Sequence, residues 1–419
     1  MPAAQIPAAT ANQSSLLAIQ QESAAAAQSA IENSAAEIPG RQVRLVKKSF
    51  AAIEACGQHA MEYFYARLFV QNPELRSMFP LAMSTHRQRV FDTLAAMVAS
   101  MGSPGELADQ VGQLARDHRK FGVKDKHCEA FFAVLLATIR QFSAGAWDTE
   151  TAAAWEAALG CISTGMRTAA AKAAETSPPW WVGEVVQHDR RGRDLAVLTI
   201  RPDQPLPYLP GQYVSVQVAR WPRIWRSFSI ANAPRANGLI DLHVRAVPGG
   251  MVSTALVQYA QAGDSLLLGP AEGTMTVSAE GPGRDLLCIA GGTGLAPVKA
   301  LIEGVIAAGG QGPQRRITLF AGARNGADLY DAADLARLEA SYPLLTVIPA
   351  VSQDPGWGGL TGPLPDVVRQ YAAGEDRDVF DREVFVSGPS RMVREVLRIL
   401  ARRVSAEHIH YDPQGPQAI

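Results

Sequence analysis

The sequence predicts a multidomain protein: an all-α domain, then an antiparallel β-barrel, then an α/β domain on a parallel sheet. Three observations carry this. At 419 residues the chain is long for one domain, and two to four is the expected number. Residues from about 41 to 175 show helical periodicity with no run of strict alternation. From about 180 short β-rich runs follow one another, and near 285 they give way to strands alternating with helical stretches.

Residues 1–40 are rich in Ala, Ser and Gln, with three acidic residues and no aromatics. Such a segment buries too little surface to offset chain entropy, so a disordered tail is expected. In the α domain, 41–175, Leu45, Val46, Phe50 and Ile53 share one stripe. Val90, Leu94, Met97, Val98 and Met101 share another; Phe131, Leu135, Ile139 and Phe142, then Trp155, Leu159, Ile162 and Met166, form two more. Ser177-Pro178-Pro179 marks the break. The barrel, 180–280, draws strands from Leu195–Ile200, Tyr213–Val218, Ser227–Ile230, Leu239–Val244 and Ser265–Leu268, with one helix at Val252–Tyr259. The α/β domain, 285–419, places strands at Leu286–Ala290, Ile317–Ala321, Leu345–Val351 and Val384–Ser387.

Composition narrows the function. With 47% hydrophobic and 19% charged residues the chain has enough apolar material for several cores. A net charge of -1 gives no basic field for nucleic acid or acidic membranes. Cys56, Cys128, Cys161 and Cys288 show no CxxC spacing, which suits a reducing compartment better than a disulfide framework. The most apolar stretch, around Leu286 to Ala308, is broken by Lys299 and Glu303, so no membrane span is expected. The first forty residues lack Lys and Arg, against a targeting peptide, and a cytoplasmic location is expected.

Gly291-Gly292-Thr293-Gly294, continuing to Pro297, follows a buried-looking strand and opens a helix. Glycines there let the backbone approach a pyrophosphate, and the helix start supplies oriented N–H groups. The spacing departs from GxGxxG, so a plain strand-to-helix turn fits equally well. Upstream lie Arg226-Ser227-Phe228-Ser229, His243-Val244-Arg245 and Gly249-Gly250-Met251-Val252-Ser253-Thr254. Arg226 suits a pyrophosphate, Phe228 a place along a flavin ring and Ser229 a hydrogen bond to the ring's N5 edge. Taken singly, the arginines also read as surface cations and the glycines as a turn.

Together and in this order the motifs resemble the ferredoxin–NADP reductase-like superfamily. That family carries an Arg-x-Tyr-Ser motif in its FAD barrel, here with Phe228 for Tyr, and a second Gly-Gly-x-Val-Ser motif. The resemblance implies FAD bound by Arg226 to Ser229, His243 to Arg245 and Gly250 to Ser253. It implies NAD(P) bound by Gly291, Gly292, Thr293, Gly294, Pro297 and Arg324, and by Ser387-Gly388-Pro389 where relatives have Cys-Gly-Pro. Gln414 stands where relatives usually have an aromatic. Arg324 suits a 2′-phosphate, yet Arg324-Asn325-Gly326-Ala327-Asp328-Leu329-Tyr330 resembles relatives that use NADH, so the nucleotide is NADH or NADPH. His408 and His410 alternate with Ile409, an edge-strand pattern rather than a metal pair.

In the α domain Leu107, Val111, Leu114 and His118 lie at i, i+4, i+7 and i+11, so His118 projects from an apolar stripe. A histidine there is either a core residue bonded to a carbonyl or an iron ligand. The run Tyr63-Phe64-Tyr65-Ala66-Arg67-Leu68-Phe69, then Pro73-Glu74-Leu75 and Phe79, resembles the globin domain of flavohaemoglobins. So do Asp117 to Val123 and Leu135 to Thr138. The resemblance implies haem b on His118, with Phe79 packed on the porphyrin and Tyr65 and His86 beside the gas ligand. His86 replaces the usual glutamine, and Cys128 and Lys172 replace the tyrosine and glutamate that orient the proximal histidine. The implied reaction is NAD(P)H-driven conversion of NO and O2 to nitrate, with electrons passing through FAD. The alternatives are an NAD(P)H oxidoreductase acting on O2, quinones, ferric complexes or peroxides, and a haem gas sensor. The expected partners are small molecules (O2, NO, NAD(P)H), with a monomer expected and a dimer as the alternative.

Overall fold

The computed structural model describes Ser29 and residues 39–80, 82–277, 283–308, 314–374 and 381–411. The predicted tail, apart from Ser29 and residues 39–40, and Gln414 lie outside these residues. The chain divides at Trp180 into a helical unit and a second unit that begins at Trp181.

Six helices form the first unit: α1 (Gly40–Glu54), α2 (Gly57–Gln71), α3 (Ser84–Ser100), α4 (Pro104–Arg119), α5 (Asp125–Phe142) and α6 (Thr149–Thr176). Local sequence sets their ends. Asn72-Pro73 closes α2, because proline disfavours helix in the residue before it. Pro104 opens α4 at a position whose N–H needs no partner. Asp148 caps α6 by accepting from the Thr151 N–H at 2.7 Å. The predicted stripes supply the core, where Phe64, Leu68, Val111 and Trp155 are buried. The Trp155 indole N–H donates to Ser49 Oγ at 2.8 Å, so the largest core side chain leaves no polar atom unpaired.

The second unit begins with a six-stranded antiparallel sheet: β1 (Trp181–Arg190), β2 (Leu195–Pro202), β3 (Tyr213–Val218), β4 (Arg226–Ser229), β5 (Ile240–Arg245) and β6 (Ser265–Glu272). Its order is β4-β3-β6-β1-β2-β5, and a bridge from Ile230 to Leu242 nearly closes it. The helix α7 (Met251–Gln258) follows β5. The ten residues of β1 were absent from the strands predicted from sequence. Gly183 interrupts their apolar alternation, and any side chain there would strike Ile200 on β2. Trp181 is buried in the barrel, its N–H donating to the Pro205 carbonyl.

The same unit continues as a six-stranded parallel sheet, order β10-β9-β8-β7-β11-β12. The strands are β7 (Leu286–Gly291), β8 (Ile317–Ala323), β9 (Leu345–Val351), β10 (Leu360–Thr361), β11 (Glu383–Ser387) and β12 (Ile409–His410). Helices α8 (Leu295–Ala308), α9 (Ala332–Ser341), α10 (Leu364–Gly374) and α11 (Ser390–Leu400) connect them. Every residue of β7 is buried, as a central strand covered on both faces requires. At the edge the Glu383 carboxylate meets His408 Nδ1 at 3.0 Å and His410 Nε2 at 2.5 Å. Among the described residues no helix is long and apolar enough to cross a membrane.

Candidate functional site

In the helical unit three elements bring Tyr65 (α2), Phe79 (after the 3-10 turn Pro73–Met78) and His86 (α3) into one triangle. Ring centroids lie 5.6 Å apart for Tyr65–Phe79, 5.4 Å for Phe79–His86 and 5.6 Å for Tyr65–His86. Neither the Tyr65 hydroxyl nor His86 Nε2, both enclosed, has a hydrogen-bond partner among the described residues. Two such groups side by side cost free energy unless something else meets them. Burial pushes the Tyr65 hydroxyl above its ordinary range, so it stays a donor. Burial first, then Arg89 and His118, lowers His86 to about 4, so it is neutral near pH 7 and one ring nitrogen carries a hydrogen.

His118 stands near the end of α4. Its Nδ1 lies 2.8 Å from the Leu114 carbonyl oxygen one turn back. A carbonyl only accepts, so Nδ1 carries the hydrogen and Nε2 keeps its lone pair. That arrangement suits a metal-bound imidazole, whose other nitrogen commonly donates to a carbonyl or carboxylate. Burial lowers the His118 pKa, which favours the neutral ligand form. Lys172 pairs with Glu175 at 2.8 Å, and burial raises the half-buried Cys128 thiol. The tilt of the His118 ring is therefore set by a backbone carbonyl, a partner that side-chain identity does not reveal. A haem fits these residues: one imidazole nitrogen free to ligate, and two unpartnered polar groups for what binds the iron.

In the second unit β4 carries Arg226 to Ser229, paired to β3 with Phe228 opposite Val214. Arg226 is half-buried and donates to the Trp225 carbonyl at 2.8 Å; burial lowers its pKa. No carboxylate among the described residues pairs with it, which suits a pyrophosphate. Gly250 caps α7 and Met251 is exposed. Ser253 Oγ lies 3.4 Å from both the Val247 nitrogen and the Gly250 oxygen, closing the turn on itself. Val244 and Val252 are buried in the barrel core and offer only backbone to a ligand. His243, expected at the flavin, has its Nδ1 2.8 Å from the Tyr330 hydroxyl, and Arg245 pairs with Asp194 at 2.8 Å.

The glycine turn meets the end of β11. A side chain at Gly294 would come within 2.4 Å of Ser387 backbone, and one at Gly291 within 2.6 Å of the Met392 sulfur. Gly292 has φ 56° and Gly388 φ 148°, conformations that favour glycine. Thr293 lies in the turn and Pro297 in the first turn of α8, buried. The turn and Ser387-Gly388-Pro389 thus share the carboxyl edge of the parallel sheet, where α/β folds bind nucleotides. A cleft of about 240 Å³ opens there, bounded by Gly292, Gly322, Asp328 and Trp357. Arg324, just past β8, is exposed.

Residues 62–166 match the Globin family, 183–276 the Oxidoreductase FAD-binding domain and 288–398 the Oxidoreductase NAD-binding domain. The flavohemoprotein of Bordetella pertussis is 30% identical over 279 residues, covering 62% of this chain and 69% of that protein. The reductase component of phenol 2-monooxygenase from Pseudomonas sp. strain CF600 is 31% identical over 256 residues, 58% of this chain and 69% of its own. The crystal structure of flavohemoglobin from Malassezia yamatoensis, with bound FAD and heme, aligns at a TM-score of 0.73. It covers 90% of this chain and 99% of its own at 16% identity, a likeness of fold. Three domain matches in this order, with a relative of that identity and coverage, show that the chain belongs to the flavohaemoglobin family, an oxidoreductase lineage using haem, FAD and a nicotinamide nucleotide.

Proposed function

We propose that this protein is an NAD(P)H-driven nitric oxide dioxygenase, converting NO and O2 to nitrate. The observation that carries the reading is the pair of enclosed, unpartnered groups, Tyr65 Oη and His86 Nε2, in a globin whose His118 keeps Nε2 free. When bound, the nucleotide supplies a hydride, FAD divides it into single electrons, and haem supplies the iron where two NO and two O2 become two nitrates per NAD(P)H.

The residues supply the rest. His118 would hold the iron through Nε2 while Leu114 fixes the ring. Tyr65 and His86 would donate hydrogen bonds to a ligand gaining negative charge, each worth about 1.5–3 kcal/mol. Phe79, whose ring meets those of Tyr65 and His86, would pack against the porphyrin. Arg226 would neutralise the FAD pyrophosphate, and Gly291 to Gly294 would admit the nucleotide phosphates to the backbone of α8. Cytoplasmic operation fits four cysteines that are all free.

The protein loaded with haem and FAD should consume NO only when both NAD(P)H and O2 are present. His118→Ala should abolish that consumption. Turnover surviving the change defeats the proposal. A second reading, reduction of other acceptors by the flavin, is favoured by the 31% identity, over 58% of the chain, to the reductase component of phenol 2-monooxygenase. Comparing NO with quinones and ferric complexes at equal flavin reduction separates the two.

A further inference from the structure

The hydrogen bond between Tyr330 and His243 joins two motifs that sequence assigns to different ligands. His243 belongs to β5, in the stretch expected at the flavin. Tyr330 ends the loop Arg324 to Tyr330, expected at the adenosine ribose. His243 is buried, and its ring meets the Tyr330 ring edge-on at 5.4 Å and 83°.

Further contacts tie the same loop down. Arg191, between β1 and β2, donates to the Tyr330 carbonyl at 3.2 Å. Arg245, two residues after His243, lies 3.8 Å from Asp328 while paired with Asp194. On its other side the loop is anchored to α8, the helix that the glycine turn opens. Asp331 there pairs with Lys299 at 2.7 Å, and both are more than nine-tenths buried; Asp334 adds a second contact to Lys299 at 3.1 Å. A buried pair of this kind resists displacement, since moving one partner strands the other. Tyr330 and Asp331 are therefore consecutive links between a barrel strand and the phosphate-binding helix.

We propose that Tyr330 and His243 are positioning residues for hydride transfer, their hydrogen bond setting where the nucleotide loop stands relative to the flavin barrel. The inference rests on the FAD and NAD(P) reading given above. In that step one hydride leaves the dihydronicotinamide, oxidising it by two electrons, and adds to the flavin, reducing it by two. Such transfer needs reacting atoms at near-contact distance, and a small misplacement costs rate rather than affinity.

The test is anaerobic rapid mixing of the FAD-loaded full chain with NADH, following flavin bleaching, alongside FAD content and NAD+ affinity. Tyr330→Phe, which removes one oxygen, should slow the limiting bleaching rate about tenfold or more while leaving affinities within about threefold. His243→Leu should do the same, and the double variant should be no slower than the slower single, because both delete one interaction. His243→Asn, whose amide can face the hydroxyl, should recover much of the rate lost in His243→Leu. If the leucine variant fails to fold, the phenylalanine and asparagine variants carry the test. Bleaching at the wild-type rate in Tyr330→Phe overturns the proposal. So does loss of FAD in the His243 variants alone, which would make His243 a flavin contact. Wild-type flavin left oxidised by NADH defeats the nucleotide reading instead. The Tyr330–His243 hydrogen bond is read separately from the same double-mutant cycle in urea unfolding, where zero coupling overturns the proposal.

Discussion

The Tyr65 hydroxyl and His86 Nε2 are enclosed polar atoms without a partner among the described residues, a cost that a bound ligand would offset. Tyr65→Phe removes the hydroxyl and keeps the ring against Phe79. With a charge-assisted hydrogen bond worth about 1.5–3 kcal/mol, O2 release from the reduced protein should become about ten- to a hundredfold faster. Ligand-displacement kinetics would show this, and an unchanged rate would remove Tyr65 from the site. The apolar stripe leaves His118 as a carbonyl-bonded core residue or an iron ligand, and the globin resemblance is what assigns it to the iron. Its orienting partner was not legible, because the Leu114 carbonyl belongs to the backbone and every residue has one. His243 was read as a flavin residue from neighbours in sequence, and its actual neighbour, Tyr330, is 87 positions away.

The elements show the same division. The turn between β7 and α8 was visible as a glycine cluster after an apolar strand. Which glycine matters most depends on β11, nearly a hundred residues later. Gly294→Ala would drive a methyl into the Ser387 backbone, so nucleotide affinity should fall tenfold or more while FAD stays bound. Equilibrium titration with NAD+ against flavin absorbance measures both; unchanged affinity would mean the turn can yield. Sequence reasoning passed over β1 because Gly183, where a side chain would strike Ile200, breaks the alternation that reveals strands. The two residues of β10 carry no period and escape sequence reading, whereas the alternation of His408 and His410 about Ile409 does indicate the edge strand β12.

For the whole molecule, acid is the informative perturbant. His86 and His243 have folded-state pKa values of about 4 and about 3, below the ordinary 6.5 that the unfolded chain regains. Each is buried neutral, so the unfolded state binds more protons as pH falls. Their contribution is intact above pH 6.5 and is lost as pH drops through about 4 and then about 3. Urea unfolding of the haem-free, flavin-free protein should show a loss of about 1–2 kcal/mol per histidine between pH 7 and pH 5. His86→Gln should flatten the profile of the helical unit and leave the other unit's slope unchanged. The two units also predict a functional split: His118→Ala should remove the haem spectrum yet leave NAD(P)H-driven flavin bleaching intact. Loss of both would show that the iron ligand supports the reductase as well.

The sequence alone determined the three kinds of domain, their order, the iron-ligand candidate and the glycine turn. These depend on local periodicity and short motifs, which a chain carries wherever it folds. Only the tertiary structure decided what His118 leans on, which glycines a neighbouring strand enforces, and that His243 and Tyr330 form one contact. Those facts depend on distance between residues far apart in the chain, and no local pattern encodes a distance.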